Sequence, residues 1–119
     1  MALFGKLRKG LTQSDEERLA QEVRGWADTV PGSVRLAGCP SREPVTVAGV
    51  VRRITVIPAQ GGESLEALVS DGTGEITVVW MGRRVIQGLN LGTRVILRGV
   101  IGDSRAGRRI VNPTFEFAA

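Results

Sequence analysis

The 119-residue chain has no histidine and no tyrosine, a single cysteine at Cys39, and only two lysines, Lys6 and Lys9. Without histidine it lacks the commonest general base and the commonest metal ligand. A lone cysteine builds neither a disulfide framework nor a cysteine-based metal site. Carboxylates and serines remain for chemistry, but the chain contains no nucleophile elbow, phosphate-cradling loop or paired metal-ligand spacing. An enzyme is therefore not expected, and neither is a cofactor. No apolar run approaches the ~18–20 residues of a membrane span. Leu11–Ala20 is too polar for the apolar region of a signal peptide. The expectation is a cytoplasmic protein with no membrane partner. Aromatic residues make up only 4% of the chain, as two Trp and three Phe.

Glycine and arginine are plentiful. Sixteen glycines suit a chain of many turns, and an apolar fraction of 42% is enough for one small core. The formal charge is +4 and unevenly spread. From Thr77 to Ala119, Arg83, Arg84, Arg94, Arg98, Arg105, Arg108 and Arg109 face only two acids, Asp103 and Glu116. A basic half of this kind fits an anionic partner. A solvated basic face, with arginine usage raised by genomic G+C content, is the plainer reading.

The first 12 residues read as an arm with Leu3, Phe4 and Leu7 among basic residues. Ser14 as N-cap and Glu17 three residues on form a capping box for a helix over Asp15–Ala27. Leu19, Val23 and Trp26 make one apolar stripe on it. The stripe is expected to pack on the rest of the fold, across an open end, with a dimer seam as the alternative. Residues 31–44 hold three prolines and two glycines and read as a connecting loop in which Arg35 and Arg42 are solvated. A long first strand, Val45–Ile57, carries Gly49 at its middle, as a bend requires. Strands follow over Leu65–Ser70, Glu75–Met81, Arg94–Ile101 and Arg108–Phe117, the last broken at Pro113. Asp71-Gly72-Thr73-Gly74 is a strong hairpin signal, because Gly accepts positive φ and Asp bonds its own backbone. Asp71 is accordingly a turn carboxylate and not a catalytic one. Arg83–Leu89 reads as a short helix or turn, and Gly102–Gly107 as a loop. The order predicts an all-β, five-stranded Greek-key barrel behind one N-terminal helix, with residues 1–44 packing on a barrel of residues 45–119. An SH3-like barrel is the structural rival.

The segment Val45–Phe117 resembles the OB-fold nucleic-acid-binding family, nearest to anticodon-binding barrels and to the wedge domain of branch-migration DNA helicases. The resemblance is carried by Val47-Ala48-Gly49-Val50-Val51, Val69-Ser70-Asp71-Gly72-Thr73-Gly74, Gly92-Thr93-Arg94-Val95 and Ile110-Val111-Asn112-Pro113. As a whole the chain is similar to small stand-alone OB-fold proteins of high-G+C bacteria. The resemblance implies a ligand face on the second and third strands, flanked by the loops Ala59–Ser64 and Gly102–Gly107. Carried over, that face contains Thr77, Val79 and Met81, with Arg52 or Arg53 and Thr55 from the first strand. Trp80 shares the parity of Ile76 and Val78, which favours the core over a stacking platform as its place, and few other aromatics are left for base stacking. Arginine is the alternative contact, since its fork pairs with phosphate and its plane stacks on bases. Arg94 and Arg98 share one outward face of the fourth strand. Arg105, Arg108 and Arg109 cluster at the last loop as a basic clamp, and Arg83 and Arg84 adjoin the same surface. Charges that keep exposed strand edges from pairing are the alternative explanation. The expectation is a non-enzymatic protein that binds single-stranded or branched DNA or RNA through arginine–phosphate contacts. A protein–protein adaptor using the barrel as a docking surface is the alternative.

Overall fold

The computed structural model describes residues 12–59 and 61–118. The arm residues Leu3, Phe4 and Leu7 lie outside them. Strand β1 (Pro44–Ala59) is the longest element. Its first half pairs antiparallel with β4 (Arg94–Ser104), from Pro44↔Val100 to Val50↔Arg94. Its second half pairs with β2 (Gly62–Ser70), from Val50↔Ser70 to Ala59↔Gly62. The switch falls beside Gly49, where a Cβ would stand 2.6 Å from the Ser70 carbonyl oxygen. No side chain fits there. A bulge between Val51 and Arg53 adds to the coil. β3 (Glu75–Met81) follows β2 as a hairpin and pairs in parallel with β5 (Gly107–Val111). β5 returns antiparallel to β4, closing the ring β1-β2-β3-β5-β4. β6 (Thr114–Ala118) resumes past Pro113 and lies along the first half of β4. This is the expected barrel. Its fifth strand splits at Asn112, whose φ is 48°.

Inward residues alternate along every strand. Val47, Val51, Val69, Val78, Leu97, Ile101 and Ile110 are among the most enclosed. Trp80 lies in this core with its ring edge-on to Phe115, centroids 5.4 Å apart.

Both ends of the barrel are plugged by loops. At the end where the β2–β3 turn meets the start of β1, the connector after the helix inserts Leu36 and Cys39 into the core. At the other end, Ile86 and Leu89 do the same from residues 82–93. That segment consists of turns, with no helix at 83–89.

Helix α1 (Gln13–Ala27) starts earlier than expected. Thr12, with extended backbone, is the N-cap, and its Oγ1 accepts from Asp15 N at 3.1 Å. Ser14 and Glu17 lie inside the helix and do not cap it. Because the ends are already filled, α1 lies on the flank of the β1–β4 ladder. Trp26, Ala27 and Val30 pack there against Ala48 and Ile96. Only the last turn makes this contact. The stripe is therefore not buried along its length: Leu19 is 40% exposed, and Ala27 is the one buried residue of the helix. Among the described residues no helix is long and apolar enough to cross a membrane.

Asp71 holds the connector in place. It is the one charged side chain among the described residues that is fully buried. One carboxylate oxygen accepts from Thr73 N (2.8 Å), Thr73 Oγ1 (2.6 Å) and Gly74 N (3.1 Å). The other accepts from Leu36 N at 2.7 Å. The same side chain thus shapes the β2–β3 turn and anchors the plug. The turn also presses on the helix: a Cβ on Gly72, which has φ 88°, would stand 2.3 Å from Ala20 O. In Asp71→Asn the amide must turn its N–H₂ toward one set of backbone donors. Losing a buried, charge-assisted acceptor is expected to cost ~1–3 kcal/mol. A lowered denaturant midpoint with an unchanged slope checks this.

Candidate nucleic-acid interface

Strand register fixes which side chains share the outer surface. With Ala67, Val78 and Ile110 facing inward, Arg53, Leu68, Thr77 and Arg109 form one outward row across β1, β2, β3 and β5. Thr55, Glu66, Val79 and Val111 form the next, and Ile57, Ser64 and Met81 a third. Arg53, Thr55, Glu66, Leu68 and Thr77 border a shallow depression of about 50 Å³. Of the sequence-predicted residues, Arg53, Thr55, Thr77, Val79, Met81 and Arg109 are therefore brought together on one face.

The centre of that face is not open charge. Glu66 and Arg109 meet diagonally across β3 at 2.6 Å, with 25% and 31% of their side chains exposed. Val79 lies in the row between Glu66 and Val111, beneath this bridge, and is only 7% exposed. It has outward parity but contributes little free surface. The pair neutralises part of the positive charge that a phosphate would meet. Sequence reasoning missed Glu66. Its parity relative to Leu65, Ala67 and Val69 could have revealed it.

The remaining arginines are dispersed. Arg52 occupies the β1 bulge and turns to the helix, 3.5 Å from Glu16. Arg84 pairs with Glu63 at 3.3 Å near the third row. Arg83 is exposed after β3. Arg94 and Arg98 do share one outward face, but it is the flank that carries α1. There Arg94 lies over the Trp26 ring, 5.0 Å from its centroid, and Arg98 pairs with Glu116 at 3.1 Å. The expected clamp loop is a tight hairpin, because β4 runs on to Ser104 and β5 begins at Gly107. Ser104 Oγ donates to Gly107 O (2.8 Å) and accepts from Ala106 N (3.2 Å). Arg105 sits exposed at its tip. Arg108 faces away from the interface. It donates to Leu36 O (3.1 Å), to Cys39 O and to Ser41 Oγ (3.4 Å). It clasps the connector opposite Asp71, which explains why the three arginines do not form one cluster.

The sequence profile of the OB-fold nucleic acid binding domain of the tRNA anticodon type matches residues 45–117. The chain belongs to this family. No curated protein is similar enough to it to count as a relative. In OB folds the surface of strands 2 and 3 with the two adjoining loops holds oligonucleotides. Here that surface is the three-row face just described. The family match covers every strand from β1 to near the end of β6, while α1 and the connector precede it.

Cys39 reports on the connector. Burial pushes its thiol above the ordinary range, with Arg108 pulling the other way. A protonated, enclosed thiol reacts slowly. If Arg108 is a strut, Arg108→Met should open the connector and speed labelling of Cys39 by about tenfold or more, the equivalent of one hydrogen bond to a charged group. An unchanged labelling rate would show that Arg108 does not hold the loop.

Proposed function

We propose that this OB-fold domain binds single-stranded nucleic acid across its three-row face through arginine–phosphate contacts, without carrying out chemistry on it. The observation that carries the reading is the outward row Arg53–Leu68–Thr77–Arg109. It places Arg53 and Arg109 on the strands flanking the two central ones, with backbones about 14 Å apart by strand spacing, and the Arg109 guanidinium reaches back over β3 to Glu66. Thr77 lies between the two arginines and Thr55 beside Arg53 in the next row, two hydroxyls that can hydrogen-bond to phosphate or sugar. Arg105 extends the positive charge at one margin. Trp80 is enclosed and Phe115 and Phe117 pack against the core, so the described part of the face offers no aromatic platform. Affinity then comes mainly from charge, with little base preference, because phosphate contacts position a strand without reading it.

The same face supports a second reading. Met81 is 62% exposed and Val111 51% exposed, and apolar side chains at the rim of a partly neutralised surface suit a protein partner. On that reading the domain is a docking module. Salt separates the two, because phosphate-led binding weakens steeply as salt rises.

Arg53 and Arg105 are in no ion pair among the described residues, so their replacement leaves no orphaned acid. The double variant Arg53→Gln, Arg105→Gln is expected to flatten the log–log salt slope for single strands by about 1.4, which is about 0.7 for each phosphate lost. Arg98→Gln, on the helix flank, should leave the slope unchanged. Fluorescence anisotropy over a salt series measures both. A double variant with the parent's slope would refute the arginine–phosphate reading.

A further inference from the structure

Helix α1 does not lie flat on the barrel. It meets the β2–β3 turn at Ala20, where Gly72 leaves no room for a Cβ, and the β1–β4 ladder at its last turn. Beside these contacts runs an open groove of about 360 Å³. Its size lies within the roughly 300–1,000 Å³ of sites that enclose organic groups. Leu19 and Val23 form the helix wall, Val50 and the buried Val51 the floor from β1, and Leu91 the opposite lip. Leu19 is 40% exposed and Leu91 67% exposed, so the mouth of the groove is apolar and uncovered among the described residues. We propose that the occupant of this groove is the chain's own residues 1–11, folded back from the start of α1. The helix precedes the family match, so one wall of the groove lies outside the family's domain. The proposal does not rest on the nucleic-acid reading.

Composition, reach and charge point to this occupant. Residues 1–11, which lie outside the described part of the chain, hold Leu3, Phe4, Leu7 and Leu11. These are the side chains that an apolar groove takes up. The segment joins the domain at Thr12, the N-cap of the helix that walls the groove. From Thr12 to Val23 the helix rises about 16 Å. Eleven residues span up to about 36 Å, more than enough to run back along that wall. Gly10 stands where the chain must double back, and glycine accepts the positive φ that a tight reversal uses. The segment carries Lys6, Arg8 and Lys9 and no acid, whereas α1 carries Asp15, Glu16, Glu17 and Glu22 against Arg18 and Arg24. Glu22 borders the groove, is exposed, and is in no ion pair among the described residues. The two bases that border the groove are already engaged, Arg52 by Glu16 and Arg94 by the Trp26 ring. A basic, apolar segment tethered at the end of an acidic helix thus meets both an apolar surface and an unpaired carboxylate.

Thiol labelling of the whole chain tests the contact. Leu91→Cys places a thiol on the lip of the groove, and Leu19→Cys places one on the helix wall. Peptide mapping after maleimide treatment separates either label from that on the enclosed Cys39. A docked segment shields both positions. Replacing Leu3, Phe4 and Leu7 with serine in each background is expected to speed labelling about tenfold or more, the bias that burial of one leucine side chain supports. Val111→Cys, on the three-row face, should label at the same rate with either segment. Rates at positions 19 and 91 that ignore the serine substitutions would overturn the proposal. Protection that fades on dilution, together with a dimer mass at high concentration, would overturn it as well, because the occupant is then the segment of a second copy. Protection at 19 and 91 that is independent of concentration and lost with the serines supports it, whatever the protein's affinity for nucleic acid.

Discussion

The arrangement of this domain depends on one enclosed carboxylate. A charge out of water survives only when its lone pairs are matched by donors. Asp71 achieves this with three donors from its own turn and one from a loop distant in sequence. Thr73 Oγ1 adds a second tie by accepting from Ala37 N at 3.1 Å. Because the turn and the plug hold opposite oxygens of one carboxylate, neither can form fully without the other. The plug in turn brings Leu36 and Cys39 over the barrel end and carries Arg42 to the edge of β4. The β2–β3 turn, the closed end and the basic rim are thereby linked through a single side chain.

A second constraint is the use of arginine. A sequence with a basic half invites the picture of a uniformly positive surface. In the folded chain most of that charge is engaged locally: by Glu63, Glu66 and Glu116, by the Trp26 ring, and by the carbonyls of the connector. Surface ion pairs of this sort contribute only ~0–1 kcal/mol each to stability. Their larger effect is on the field outside the protein. Arg53, Arg83 and Arg105 are in no ion pair among the described residues, and they stand on separate elements and not in one patch.

The barrel was legible because its signals are local. Alternating apolar residues, Gly49 in a long strand, Asp71-Gly72 between two strands and Pro113 near the end each act through backbone geometry within a few residues. The face around Thr77 was legible for the same reason, since parity along a strand is strict. Other features depend on contacts between segments far apart in sequence. Nothing near Leu36 or Cys39 marks them as core, because their burial comes from Asp71 and Arg108. The pairing of Glu66 with Arg109 needs the parallel β3–β5 register, which no short-range pattern encodes. The helix cap was misplaced because Thr12 and Ser14 are chemically equivalent candidates, and only the backbone conformation distinguishes them. The stripe of Leu19, Val23 and Trp26 was genuine periodicity, but how much of it is buried depends on where neighbouring loops have already settled.

The sixteen-residue strand β1 has a consequence for how the chain is made. Its first half has no partner until β4 exists, as Val47 pairs with Leu97, and β3 likewise waits for β5. On a ribosome, β1, β2 and β3 can assemble as a meander while two sheet edges stay unsatisfied. Closure comes only when β4 and β5 have emerged. Topologies dominated by such distant pairings fold slowly, and exposed edges during that interval invite pairing with other chains. The bend at Gly49 and the bulge beside it work against this, because a coiled edge is a poor template for a neighbour. The geometry that closes the finished barrel thus also protects the unfinished one during synthesis.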